Sequence, residues 1–170
     1  MRRSLAVVLS TLAACASGRP PRTTPLPIEG IWKSDRDRTL QVLEASGPWS
    51  EKQWKAFSDP TLFGHLVQIF QGETYLVAYE GSCAPEPIEI LEVGPDFVRE
   101  RDRNAFTQET EELTLRVADD HRYVPIMLLQ GHPTEVFSRV TADDAIREHP
   151  CLAPILGRDE TLHGSARSGP

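Results

Sequence analysis

From residue 65 to residue 140 the chain is a succession of short segments in which apolar and polar side chains alternate, each ended by glycine, proline or aspartate. In Phe97 to Arg103, Val98 is set apart from Arg99 and Arg101. In Glu112 to Val117, Leu113, Leu115 and Val117 alternate with Thr114 and Arg116. A period of two puts each set on its own sheet face, so both segments are predicted strands with one buried side. His65 to Gln71, Thr74 to Glu80, Ile88 to Val93, Tyr123 to Leu129 and Glu135 to Val140 read the same way. Turns fall at Gly72, Gly81-Ser82, Gly94-Pro95-Asp96, Asp119-Asp120 and Gly131-His132-Pro133. With Gly30 to Lys33 ahead of them, about eight short antiparallel strands are expected. That number suits a closed barrel whose interior holds side chains or one small ligand.

Two helical stretches follow the first strand. Ser34 and Asp35 can cap the first, which carries Leu40 and Leu43 on one face. The second has a cap signature in Ser50 and Gln53, is predicted to bury Trp54 and Phe57, and stops at Asp59-Pro60. The expected fold class is mainly β: an antiparallel barrel of about eight strands with one or two short helices inserted after the first.

The N-terminus has a different pattern. Arg2 and Arg3 precede an apolar run from Leu5 to Leu12, too short to cross a bilayer, that ends in Leu12-Ala13-Ala14-Cys15. This box resembles the bacterial lipoprotein signal, in which a diacylglycerol is attached to the cysteine thiol and the chain is cut before it. The resemblance implies a signal peptide over residues 1–14 and a lipidated Cys15 at the start of the mature protein. An ordinary signal peptide with a chance cysteine is the alternative. Two or three acyl chains, at about 0.8 kcal/mol per buried methylene, hold a protein firmly without a membrane helix. The implied location is the bacterial cell envelope, and Ala16 in place of an aspartate after the cysteine points to the outer membrane.

Residues 15–27 then form a tether, with four prolines between Ala16 and Pro27. Residues 28–156 are the folded domain, and residues 157–170 are a polar tail expected to remain unfolded. Lys+Arg 18 against Asp+Glu 25 gives a net charge of −7, which argues against nucleic acid as a partner, because phosphate binding wants a clustered basic surface. Cys83 and Cys151 are left as an even pair in an oxidising compartment. They form either a disulfide or two separate thiols, and neither has the CxxC spacing of redox or zinc sites.

Gly30-Ile31-Trp32 on the first strand resembles the Gly-x-Trp signature of lipocalins and their calycin relatives, and Phe137-Ser138-Arg139 lies on the last strand. In that family a late arginine lies across the first-strand tryptophan and closes the barrel floor. The resemblance implies this role for Trp32 and Arg139, where a guanidinium over an indole gains about 0.5 to 2 kcal/mol. It also implies a C-terminal cysteine tied back to the barrel, as Cys83 and Cys151 would provide. The family's Thr-Asp-Tyr motif is missing here, and the helical insertion stands where the family has a long loop.

Two functions are compatible with such a domain. One is noncatalytic binding of a small apolar or amphipathic molecule, such as a lipid, inside the barrel or under the two helical stretches. Its candidate lining is Tyr75, Val77 and Tyr79 on one strand face and Tyr123 and Met127 on another, although a barrel of this length fills easily with side chains and core is the simpler reading of all five. The other is a protein-binding module, an inhibitor or scaffold of the envelope, in which an acidic domain meets a basic partner. An enzyme is not expected, and neither is a metal or cofactor. His65, His121, His132, His149 and His163 are scattered without ligand spacing and read as solvent or turn residues. Asp35 and Asp37 read as helix caps, Asp119 and Asp120 as a turn, and there is no Gly-x-Ser-x-Gly, phosphate loop or calcium loop.

The lipid anchor has a direct test. Cys15→Ser should leave an uncleaved precursor that takes up no labelled palmitate, and normal processing of that variant would remove the anchor.

Overall fold

The computed structural model describes residues 26–71, 74–103, 109–127, 129 and 131–157. Cys15, the signal segment and residues 158–170 lie outside the described residues. Strand β1 (Gly30–Ser34) leads to helices α1 (Arg36–Ser46) and α2 (Glu51–Phe57). The strands β2 (Val67–Gln71), β3 (Thr74–Tyr79), β4 (Ser82–Glu86), β5 (Ile88–Val93), β6 (Phe97–Arg103), β7 (Thr110–Ala118), β8 (His121–Pro125) and β9 (Thr134–Arg139) follow. Helix α3 (Ala142–Glu148), a 3₁₀ turn (Pro150–Leu152) and α4 (Ala153–Leu156) close the domain.

All strand pairs are antiparallel, and the sheet runs β4-β3-β2-β1-β9-β8-β7-β6-β5 in a nearly closed barrel. Its two edges, β4 and β5, are consecutive in the chain and separated by Pro87 alone. Alternation of direction around the sheet makes β4 and β5 run the same way. Residues 82–93 are therefore one pass that bends at Pro87, pairing first with β3 and then with β6. Nine strands thus make eight passes, the even number that lets β9 return antiparallel to β1. A proline suits the bend because it has no N–H to give to either ladder.

The eight predicted strands are present, β5 and β6 with the predicted limits and the others shifted. β4 is an addition, because Ser82-Cys83-Ala84-Pro85-Glu86 shows no apolar alternation and carries a proline. β2 begins at Val67 instead of His65. β8 is displaced toward the N-terminus: Asp119-Asp120 forms a two-residue turn that brings His121 into the strand, and pairing stops at Pro125, so Met127 and Leu129 fall in the following loop. The β3–β4 hairpin turns at Glu80 (φ 47) and Gly81 (φ 79), the paired left-handed conformation of a tight hairpin.

The outer face of β1–β3 is covered. Ile31, Val67, Ile69, Leu76 and Ala78 pack against Ala142, Ala145, Leu152 and Leu156. These C-terminal helices were not predicted, although Thr141 caps α3 by accepting from the Asp144 N–H, with acidic residues in the first turn and Arg147 in the last. The disulfide between Cys83 and Cys151, with 5.9 Å between the Cα atoms, fastens this cover to β4.

Helices α1 and α2 pack through Leu43, Phe57 and Phe63, with Leu40 and Trp49 against them. Thr39 joins α1 to β9 by accepting from the Val136 N–H at 2.9 Å. The expected caps form: Asp35 accepts from Arg38 N–H, and Ser50 and Gln53 make a capping box. Trp54 departs from expectation and is 37% exposed, because Trp49 and Phe63 from outside α2 occupy the space beside Phe57.

A bond spanning 68 residues of sequence restricts the unfolded chain strongly. Replacing both Cys83 and Cys151 by alanine should lower stability by about 2–4 kcal/mol in equilibrium denaturation. An unchanged midpoint would show that the bond contributes nothing.

Candidate functional site in the barrel interior

Where β1 meets β9, a stack is built on Trp32. Trp32 is fully buried and its indole N–H donates to the Ile28 carbonyl at 2.6 Å. Arg139 is its cross-strand partner on β9, with the guanidinium 4.3 Å from the ring centroid. The same guanidinium donates to the carbonyls of Glu29 (2.8 Å) and Pro27 (3.4 Å), holding that turn in place. Leu26 and Ile28 are buried in the interior cluster, so the folded unit takes in Leu26, two residues ahead of the expected boundary. Gly30 has φ +126, and a Cβ there would sit 2.4 Å from an Arg139 nitrogen. The Gly-x-Trp spacing therefore has a steric cause: glycine leaves the room in which the arginine covers the tryptophan.

Strand register turns Trp32, Phe70, Tyr75, Val98, Glu100, Leu115, Arg122, Glu135 and Phe137 inward. Arg122 is the unusual member. It is fully buried, and its guanidinium carbon lies 4.6 Å from the Phe70 ring centroid, 4.7 Å from that of Phe137 and 5.7 Å from that of Trp32. Its Nε, Nη1 and Nη2 have no hydrogen-bond partner among the described residues. Aromatic faces return part of the lost hydration, but they leave these donors unsatisfied, and a buried unsatisfied donor is costly.

Two carboxyls flank this cation. Glu100 is 4% exposed with Oε2 unpartnered, while Glu135 accepts from the Ser34 hydroxyl. Burial pushes Glu100 up to about 7, with Arg122 opposing and Asp102 adding to the rise. Burial likewise pushes Glu135 up to about 7, against the Ser34 hydrogen bond and Arg122. Burial brings Arg122 down to about 10, so it still carries its charge at neutral pH. The Tyr75 phenol, pushed far up by burial and stacked on Phe70 at 4.6 Å, stays neutral. Arg122 thus sets a fixed positive charge beside two carboxyls that titrate near neutrality.

A cleft of about 440 Å³ lies outside the barrel between the end of β1, the start of α1 and residues 60–65. Ser34 joins the two regions, accepting from the Gly64 N–H at 2.8 Å while donating to Glu135. In the cleft wall Asp35 accepts from the Ser138 hydroxyl at 2.6 Å as well as capping α1.

The predicted lining residues are divided by the structure. Tyr75 is buried and Val77 partly so, while Tyr79, on the same face at the strand end, is 41% exposed. Tyr123 and Met127 are not brought together: Tyr123 pairs with Val136 and Arg116 on the outward register, and Met127 lies beyond β8 and is 39% exposed. His149 departs from its reading as a solvent or turn residue; it is 4% exposed at the end of α3, with both ring nitrogens unpartnered among the described residues. Arg122, Glu100 and Glu135 were not singled out in the sequence. For Glu100 a signal existed, since it shares strand parity with Val98. Among the described residues no group of three or more histidine, cysteine, aspartate or glutamate side chains could hold a metal ion. Comparison with protein-family models, with curated proteins and with solved structures finds no match.

A carboxyl whose folded pKa lies above its unfolded value binds more protons in the folded state, so stability falls as pH rises through the interval between the two. For Glu100 and Glu135 that interval runs from 4.5 to about 7. Stability measured by denaturation should drop between about pH 5 and about pH 8 by roughly 2–3 kcal/mol for each of the two carboxyls, and Glu100→Gln should remove about half of the drop. A profile that Glu100→Gln leaves unchanged would contradict the buried placement of this carboxyl.

Proposed function

We propose that the chain is a lipid-anchored envelope protein whose barrel binds a small apolar or amphipathic molecule without catalysis. The observation that carries this reading is the state of the inward apolar side chains. Val77, Ile88, Ile90, Leu113, Val117 and Val124 pack on the interior cluster yet remain partly open to solvent. In a barrel filled by its own side chains such residues would be buried completely. Trp32 and Arg139 shut one end, so the accessible apolar wall faces a lumen closed at its floor. The Gly-x-Trp resemblance to lipocalins supports the same reading, since that architecture encloses a ligand. Cys15, lipidated as its signal implies, would hold the domain at the outer membrane through the proline-rich tether. Among the described residues no helix is long and apolar enough to cross a membrane.

The test uses the neutral apolar fluorophore N-phenyl-1-naphthylamine. Its emission should rise saturably with one site per chain, and Leu113→Trp, which fills the lumen, should weaken the site by about tenfold, equivalent to about 1.4 kcal/mol. No enhancement, or an enhancement indifferent to Leu113→Trp in a folded variant, would contradict a ligand lumen.

A further inference from the structure

We propose that Arg122 receives the carboxylate of an aliphatic acid taken into the barrel, and that the flanking Glu100 and Glu135 take up protons as it enters. This rests on the reading of the interior as a ligand lumen and names the chemistry of the ligand's polar end. Arg122 is fully buried, its guanidinium carbon lies within 5.7 Å of the ring centroids of Phe70, Phe137 and Trp32, and its three nitrogens lack partners among the described residues. The rings attract the cation but accept no full hydrogen bond from its N–H groups. Its N–H groups lie in its plane, and a carboxylate is the acceptor whose two oxygens match that fork. A single guanidinium also matches a single negative charge; a phosphate dianion would bring a second charge among carboxyls.

The charged and titratable groups around this site set the proton requirement. Glu100 and Asp102 face it from β6, Glu135 from β9 and Tyr75 from β3, with Glu86 of β4 and Glu111 of β7 acting on Asp102. Arg122 is the cation that the described interior sets against these acids. With Glu100 and Glu135 ionised, an incoming carboxylate is repelled by both. With them protonated, the charge of Arg122 is left to the ligand, and the unpartnered Glu100 oxygen can carry the proton that donates to it. Burial already pushes both glutamates up to about 7, so the exchange falls in a physiological range.

The experiment titrates the full purified chain with decanoate and with 1-decanol, which share an alkyl chain and differ in the head, by calorimetry at about pH 6 and about pH 8.5. Decanoate should bind at least tenfold more tightly than decanol at the lower pH, weaken by about tenfold at the higher, and bind with net proton uptake across buffers of different ionisation enthalpy. Arg122→Met should abolish the preference for decanoate while leaving decanol binding in place. Glu100→Gln with Glu135→Gln should flatten the pH dependence. Equal binding of the two compounds by the unaltered chain overturns this inference and leaves the lumen standing. Decanoate preference with no pH dependence and no proton uptake overturns the role of the glutamates. Binding of neither compound overturns the lumen reading itself, and this proposal with it.

Discussion

The contact on which this structure depends is the meeting of the first and last strands, where Arg139 of β9 lies over Trp32 of β1. A meander of strands can remain an open, twisted sheet with two exposed edges. Pairing β1 with β9 turns it into a ring, and the cation over the indole adds a specific attraction at the point of closure. The same guanidinium reaches back to Pro27 and Glu29, so the contact that closes the wall also holds the segment leading into β1. Glycine suits this point because φ +126 is a conformation L side chains rarely adopt, and a Cβ there would displace the Arg139 guanidinium.

Closure moves the unpaired edges elsewhere. They fall at β4 and β5, which are one pass of chain broken at Pro87, and that seam is the gap in the ring. On the outside, β4 is held by the Cys83–Cys151 bond to the helices that cover β1–β3. Inside, a barrel of eight passes has room for a few side chains, and this one spends part of that room on Arg122, Glu100 and Glu135. Buried ionisable groups of this kind cost stability unless something in the interior satisfies them. Their arrangement around unpartnered nitrogens is what turns the interior from a core into a candidate site.

Most of the wall was legible in the sequence, because half-buried antiparallel strands announce themselves by alternation and their turns by glycine and aspartate. Phe97 to Arg103 was read with its observed limits, and the pair Trp32 and Arg139 was named through the resemblance of Gly30-Ile31-Trp32 to the lipocalin signature. Arg122 was hidden by register. Reading the strand from Tyr123 to Leu129 put Tyr123 on the same face as Met127; the strand instead begins at His121 and ends at Pro125, and parity sends Arg122 inward. Glu100 had inward parity in plain view, but a charged residue in a strand ordinarily faces solvent. The C-terminal helices were missed because Ala142–Leu156 is short and broken by Pro150 and Pro154, and its packing over Ile69 and Leu76 supplies the order.

The central claim is that the interior of this barrel is completed by a molecule other than the protein. Native mass spectrometry of the chain, gently purified from its own envelope, tests it most directly. The account predicts a reproducible added mass that leaves on extraction with organic solvent and is identified there as an aliphatic acid. A folded chain that carries no added mass in any preparation would contradict it and make the buried arginine an element of the core.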